Sequence, residues 1–424
     1  MIDGLRALRH RNFRLFFCGQ SVSLIGTWMT RLATSWLVYR LTGSTFLLGV
    51  VTFSSQIPTF LLGPIAGVWV DRWPRRRVLL VTQFLAALQS LMLASLTLSG
   101  RITIPEIVAL SSLQGLINAF DMPARQSFLV QMVDGRADLS NAIALNSTMV
   151  NGARLLGPAA AGILIAAVGE GYCFLIDGIS YFAVLASLFA MRIPAHAARK
   201  SSDTLLAQLK EGWTYVSSFA PIRTVLLSFA IVSFMGVPYT VLMPVFATRI
   251  LHGGPHTLGF LMGAVGVGSV CAALSLALRK SVRGLYRVIP TVAAVFGGGL
   301  IAFSFSRSFW LSLALMGVTG FGMMKFTAAS NTVIQTIVEE DKRGRVMSYY
   351  MMAYMGASPF GSLLAGSLAP VLGAPGTVLL CGVGCLAGAA WFWWQLPKLR
   401  PLIRPIYQQL GIIPGLPVAV DGEN

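Results

Sequence analysis

Gly67-Val68-Trp69-Val70-Asp71-Arg72-Trp73-Pro74-Arg75-Arg76-Arg77 lies between two long apolar runs. Its last seven residues hold one acid and four arginines. Charge at that density is too costly in hydrocarbon, so a membrane-crossing segment must end on each side of it. Short cytoplasmic loops collect Lys and Arg, so the same loop sets the orientation. The expectation is an integral membrane protein whose topology can be counted outward from Asp71.

Composition agrees. Hydrophobic residues make up 55% of the chain and charged residues 11%, with a mean hydropathy of +0.72. A soluble domain carries about 25% charged residues. The net charge of +17 would suggest a nucleic-acid partner in a soluble chain. Here the basic residues are scattered singly between apolar runs, so no nucleic acid is expected. Cys18, Cys173, Cys271, Cys381 and Cys385 all lie in apolar stretches without a ligand-type pair. They read as small apolar residues, and no metal or other cofactor is expected. The N-terminus is basic (Arg6, Arg9, Arg11, Arg14), but the apolar run behind it is too long for a signal-peptide core. It is expected to stay as the first span.

A spanning helix needs about 20 mostly apolar residues. That ruler gives about twelve spans. The first six are expected at 13–39, 45–70, 77–99, 103–122, 140–167 and 172–191. The second six are expected at 222–248, 256–278, 287–305, 308–335, 345–371 and 376–396. Pro238 and Pro244 interrupt the seventh, as prolines do at hinges of membrane helices. With both termini cytoplasmic, the inner segments carry 25 Lys and Arg and the outer loops four, namely Arg40, Arg101, Arg249 and Arg307. That asymmetry follows the positive-inside rule.

The longest internal break is 192–221, polar and basic. Within it Leu205, Leu206, Leu209, Trp213 and Val216 recur at helical spacing, the pattern of an amphipathic helix on the inner membrane face. Four segments are expected: a six-helix bundle over 1–191, a cytoplasmic linker over 192–221, a second bundle over 222–396 and a cytoplasmic tail over 397–424. The halves echo each other. Leu156-Gly157-Pro158 matches Ala357-Ser358-Pro359, and the basic loop after span two matches Arg279, Lys280, Arg283 and Arg287. Two six-span repeats make a transporter architecture, with the substrate near mid-membrane between them.

These residues resemble a known family. Gly67 to Arg76 resembles the loop motif of the major facilitator superfamily, with Pro74 standing where that motif has Gly. Gly157-Pro158-Ala159-Ala160-Ala161-Gly162 resembles the span-five motif of its drug:proton antiporters, with Leu155 and Ala161 departing from it. Gln114-Gly115 matches part of the span-four motif, but Ser111 holds its Arg position. Trp36-Leu37-Val38-Tyr39, Pro123-Ala124-Arg125-Gln126, Asn141-Ala142, Ala153-Arg154-Leu155-Leu156 and Arg343-Gly344-Arg345-Val346-Met347-Ser348 resemble the bacterial branch that includes the enterobactin exporter, the transmembrane secretion effector transporters. The resemblance covers about 8–396. It implies an all-α integral membrane fold of about twelve helices in two pseudo-symmetric halves, the major facilitator fold. It also implies a conformational latch. Gly67 lets helices approach, and Asp71 caps the positive N-terminus of the helix beginning near Arg343 and Arg345. Asp121 is a candidate partner for Arg72 or Arg76. The alternative is a solvated basic loop that only sets topology.

Polar residues within spans should face protein or water. Span one carries Gln20, Ser23, Thr27, Arg31 and Thr34 three or four apart. Span four carries Ser111, Gln114, Asn118 and Asp121, span five Ser147, Asn151, Arg154 and Pro158, and span ten Lys325, Thr332 and Gln335. By the resemblance, spans one, four, seven and ten line the cavity. Gln20, Thr27, Arg31, Gln114, Asn118, Arg154 and Lys325 are the candidate cavity residues. Small hydroxyls also bond to their own helix, so those stripes have a packing explanation too. Asp177 is the one acid well inside a span. A charge at mid-bilayer costs at least about 2.5–3.5 kcal/mol, so Arg31, Arg154, Lys325 and Asp177 need a reason. Either Asp177 pairs Arg31 or Arg154 to stiffen the first half, or a cation faces the cavity and receives an anionic or polar group. Arg does not release its proton, so the candidate proton carriers are Asp177, Lys325 or an acid nearer the rim.

The leading expectation is a secondary transporter of the bacterial inner membrane, exporting a small amphipathic molecule such as a siderophore or drug against protons. Import of an anionic metabolite and lipid flipping on the same fold are the alternatives. A monomer is expected. No catalytic residues are expected: His10, His196, His252 and His256 lie in tails or loops, and no phosphate-cradling Gly-rich run is present.

Overall fold

The computed structural model describes residues 3–133, 135–192, 205–279, 281–340 and 342–412. The Asp71 side chain and those of 205–209 are not among what is described. Helices run Arg11–Thr42, Thr45–Arg72, Arg75–Leu98, Ile104–Leu129, Arg136–Val168 and Glu170–Ala190 in the first half. These are spans one to six. The basic stretch separates two of them as expected: Trp73 ends span two and Pro74 precedes the first residue of span three.

In the second half, span seven is broken. It consists of Ala220–Met235, a turn through Pro238, Tyr239–Val245 and a π-helical turn Phe246–Ile250. Pro238 supplies no N–H for a continuous ladder, which accounts for the break. Spans eight to ten are Pro255–Ala277, Leu285–Phe305 and Phe309–Ile337. The last stretch, Arg343–Gln409, is two spans and a tail joined end to end. Gly373 at φ 74 turns the chain between spans eleven and twelve. The expected tail past 397 is helical through Pro397, Pro401 and Pro405, and buries Leu399, Ile403 and Tyr407 one turn apart.

Among the described residues, nine helices are long and apolar enough to cross a membrane. Arg11–Thr42 and Ile104–Leu129 are not among them, because their polar stripes lower the mean hydropathy. With these two, and Arg343–Gln409 counted as two crossings, the spans number twelve. The linker helix Leu205–Ser218 follows span six. Leu205, Leu206 and Leu209 of its expected apolar face lie outside the described side chains, while Val216 is buried and Trp213 exposed.

The halves meet along two seams, span two on span eleven and span five on span eight. Each seam closes on a glycine pair. A Cβ on Gly162 would fall 2.7 Å from the Pro255 carbonyl oxygen, and one on Gly366 would fall 2.7 Å from that of Thr45. A Cβ on Gly259 would meet the Pro158 oxygen at 2.6 Å, and one on Gly49 the Ser362 oxygen at 2.8 Å. The two seams are thus related by a pseudo-twofold axis. In this packing Pro158 corresponds to Ser362, not to Pro359. The sequence echo of Pro158 with Pro359 is therefore three residues, nearly one helical turn, out of the packing register.

Both glycine pairs lie at the end of the bundle away from the termini, which is closed. A Cβ on Gly67, Gly152 or Gly344 would meet nothing within 4 Å. No close approach between the halves is made at these three positions, which lie toward the end that carries the termini.

Candidate functional site

The candidate site is built around Trp28. Gly157 brings span five against span one, since a Cβ there would lie 2.5 Å from the Trp28 Cβ. That contact fixes the indole between two cations. The Arg31 guanidinium lies 4.8 Å from the Trp28 ring and that of Arg154 lies 5.3 Å from it. Arg31 is solvent-exposed although it sits deep in span one, and Arg154 is half-buried. Tyr354 of span eleven and Tyr181 of span six lie within electrostatic reach of Arg31. Tyr239 of span seven stands likewise to Arg154 and Tyr354. In the second half, the Lys325 ammonium lies 4.9 Å from the Phe321 ring, one turn earlier on span ten.

Among the described residues none of Arg31, Arg154 and Lys325 makes a salt bridge. The Arg154 Nε is buried without a hydrogen-bond partner. An aromatic face returns about 0.5–2 kcal/mol to a cation. That is less than the about 2.5–3.5 kcal/mol a charge costs at mid-bilayer. Among the described residues, aromatic faces and no carboxylate are what these three cations meet.

Asp177 does not pair either arginine. It is 2% exposed, wedged behind span one where Gly26 leaves room, with a Cβ at Gly26 reaching only 2.8 Å from its Oδ1. Thr30 donates to its Oδ2 at 2.8 Å and Ser90 at 3.1 Å, while Oδ1 has no partner. The expected stiffening ion pair is therefore replaced by two hydroxyl donors, because Thr30 and Ser90 reach the carboxylate first. The acid still acts electrostatically on Arg31.

Other expected residues divide. Gln114 donates to Asn118 at 3.2 Å on half-buried span four. Thr27 donates to the Ser23 carbonyl at 3.0 Å and lies 3.4 Å from the Tyr181 hydroxyl. Gln20 is 3% exposed, packed inside the first half instead of open on the wall. Trp28, Phe321 and Tyr354 were not expected. For Trp28 and Phe321 the signal was an aromatic one turn before a cation within an apolar run, as in Trp28–Arg31 and Phe321–Lys325; Tyr354 had no such signal.

The residues of the expected latch are dispersed. Asp121 is bound to Arg125 on its own helix and accepts from Thr82 at 2.9 Å and Gln83 at 2.7 Å. It pairs neither Arg72 nor Arg76, because Arg125 stands one turn away on the same face. Arg76 donates to the Leu188 and Phe189 carbonyls at 2.9 and 3.1 Å, closing the end of span six. Arg72 is exposed. Arg345 pairs Glu211 of the linker helix at 2.5 Å. Asp71, the centre of the motif, lies outside the described side chains. Among the described residues, no group of His, Cys, Asp and Glu of metal-binding size occurs.

A family model described as transmembrane secretion effector matches residues 2–402. The staphyloferrin A transporter of Staphylococcus aureus is 27% identical over 395 residues, covering 91% of this chain and 97% of that protein. The multidrug efflux pump Tap of Mycolicibacterium fortuitum is 27% identical over 388 residues, covering 89% and 93%. Macrolide efflux protein A of Streptococcus pyogenes is 21% identical, covering 88% and 95%. Among solved structures, a bacterial homologue of the lysosomal transporter Spinster, inward-facing and unoccupied, matches with a TM-score of 0.70 at 13% identity, over 91% of this chain and 96% of that one. A POT family transporter matches with a TM-score of 0.73 at 10% identity, over 92% and 96%. At these identities the structures establish the fold.

Proposed function

The chain belongs to the transmembrane secretion effector family of major facilitator transporters, and from that membership we propose that it exports a small amphipathic molecule carrying an anionic group, driven by protons. The observation that carries the reading is the set of three cations, Arg31, Arg154 and Lys325, on aromatic faces and, among the described residues, without a carboxylate salt bridge. In this reading a cleft opens between the halves at the end that carries the termini, and an anionic group entering it receives charge-assisted hydrogen bonds from these cations. Trp28, Phe321 and Tyr354 offer apolar faces to the remainder of the cargo. A siderophore or a drug-like compound has this chemistry, and transporters of both kinds are among the relatives.

The protein works as a monomer in the bacterial inner membrane with both termini in the cytoplasm, so the open cleft loads from inside. Rocking about the glycine seams then opens the far end. Asp177 is the proton site. Its carboxylate lies behind span one, hydrogen-bonded by Thr30 next to Arg31, so its charge biases the cation that receives the cargo. Gly67, Asp71, Arg72 and Arg345 close the terminal end in the alternate state. Import of an anionic metabolite would use the same cations, and direction separates the two readings.

The test is uptake into inside-out vesicles under an imposed pH gradient, over a panel of catecholates, polycarboxylates, neutral drugs and labelled lipids. Accumulation of anionic amphipaths that collapses with the gradient supports the proposal. Accumulation only in right-side-out vesicles would replace export by import.

A further inference from the structure

At the far end, where positive residues are rare, two of the four loop arginines stand in one pocket. It has a volume of about 340 Å³ and is lined by Trp36, Tyr39, Arg40, Gly43, Thr248 and Arg249. Trp36 to Gly43 end span one, and Thr248 and Arg249 end span seven. The pocket is therefore lined by residues of both halves.

The two arginines are held differently. Arg40 donates to Glu170 through Nε at 2.7 Å and through Nη2 at 3.3 Å. Glu170 is 6% exposed, so its charge is spent on Arg40 and little of it reaches the pocket mouth. Arg249 is exposed and lies over the Tyr39 ring at 6.0 Å. Among the described residues it has no acid partner. Its guanidinium approaches Gly43, 3.8 Å from where a Cβ would stand. The local balance is one uncompensated cation beside a second, half-exposed guanidinium, with two aromatic faces below them.

We propose that this pocket binds an oxyanion, a carboxylate or phosphate group reaching the far face, between Arg40 of the first half and Arg249 of the second. Guanidinium groups suit planar or tetrahedral oxyanions because their donors form a fixed fork. Because the two arginines belong to opposite halves, the site exists only while the far end is closed. Opening the far end carries Thr248 and Arg249 away from Tyr39 and Arg40 and dismantles it. A ligand that binds one of two states shifts the equilibrium toward that state. At about 100 times its Kd, a ligand with no affinity for the open state favours closure about 100-fold. The oxyanion is thus a brake on transport applied from the far face, distinct from cargo in the cleft.

The test is calorimetric titration of the full chain with benzoate and with inorganic phosphate in neutral phosphatidylcholine nanodiscs. Arg31→Gln, Arg154→Gln and Lys325→Gln are all present so that the central cleft does not report. Arg249→Gln should weaken binding about 10- to 100-fold, the range of a lost charge-assisted hydrogen bond, and Arg249→Lys should recover part of it. Gly259→Leu, which opens the far end without touching the pocket, should weaken it comparably. In phosphatidylglycerol discs, disappearance of the Arg249-dependent binding would name a lipid headgroup as the occupant of the same site. Persistence there would name a soluble anion. Binding indifferent to Arg249→Gln overturns the site, and binding indifferent to Gly259→Leu overturns its dependence on closure.

Discussion

Gly162 and Gly259 stand so close that a Cβ on either would lie 2.8 Å from the Cα of the other. Their counterparts across the pseudo-twofold, Gly366 and Gly49, approach almost as closely, at 3.0 and 3.3 Å in the same sense. In lipid, where apolar side chains gain little by meeting, close backbone packing of small residues is what holds helices together. The closed end of this transporter is held by two such crossings, one in each seam.

A side chain at these crossings should therefore open the far end. Overpacking costs about 1–3 kcal/mol, a shift of about 5- to 150-fold in a two-state equilibrium. Gly259→Leu should raise the labelling rate of Thr248→Cys in a cysteine-free chain by that order. An unchanged rate at normal expression would mean that the glycine pairs are not the gate.

Asp71→Asn should leave the protein inserted and slow its transport: in the proposed latch this carboxylate caps the opposing helix, and the substitution removes it while the arginines remain. Measured turnover against surface expression checks this. Full turnover would reduce the basic loop to a topology signal.

Asp177→Asn should keep exchange of cargo across the membrane but abolish accumulation driven by a pH gradient. The side chain keeps its shape between Thr30 and Ser90 and loses its titratable proton. Counterflow measured beside gradient-driven uptake separates the two. Gradient-driven uptake at the wild-type level would place the proton elsewhere, with Lys325 next.

A reporter fused within 195–205 or at Asn424 should read cytoplasmic, and one within 252–256 should read outside. Either site reversed would invert the positive-inside reading.

Most of the helix plan was legible because its boundaries are written in charge and proline. Arg72 to Arg77 end one span and begin another, and Pro238 with Pro244 announce the broken span seven. The seams were not legible. Gly162 meets Gly259 across 97 positions, and nothing local to either marks the other. The internal echo pointed to Pro359 for Pro158, but packing pairs Pro158 with Ser362, since helices register by backbone approach and not by matching prolines. In the site, the cations were visible as charges within apolar runs. Trp28 was passed over because a tryptophan in a membrane helix looks like any apolar residue until two guanidiniums stand over it. Asp121 was read toward the basic loop, although Arg125 one turn along its own helix was the nearer cation.

The claim on which the functional reading rests is that Arg31 and Arg154 receive an anionic group of the cargo. The measurement is the equilibrium Kd of the purified protein for an anionic amphipath and a neutral one of similar size, in the wild type and in Arg31→Gln. Melting temperature is recorded alongside. A lost charge-assisted hydrogen bond is worth about 1.5–3 kcal/mol, so the anionic Kd should rise about 10- to 150-fold. The neutral Kd and the melting temperature should barely move. Equal weakening of both ligands, accompanied by a lower melting temperature, would make Arg31 a structural residue and contradict the account.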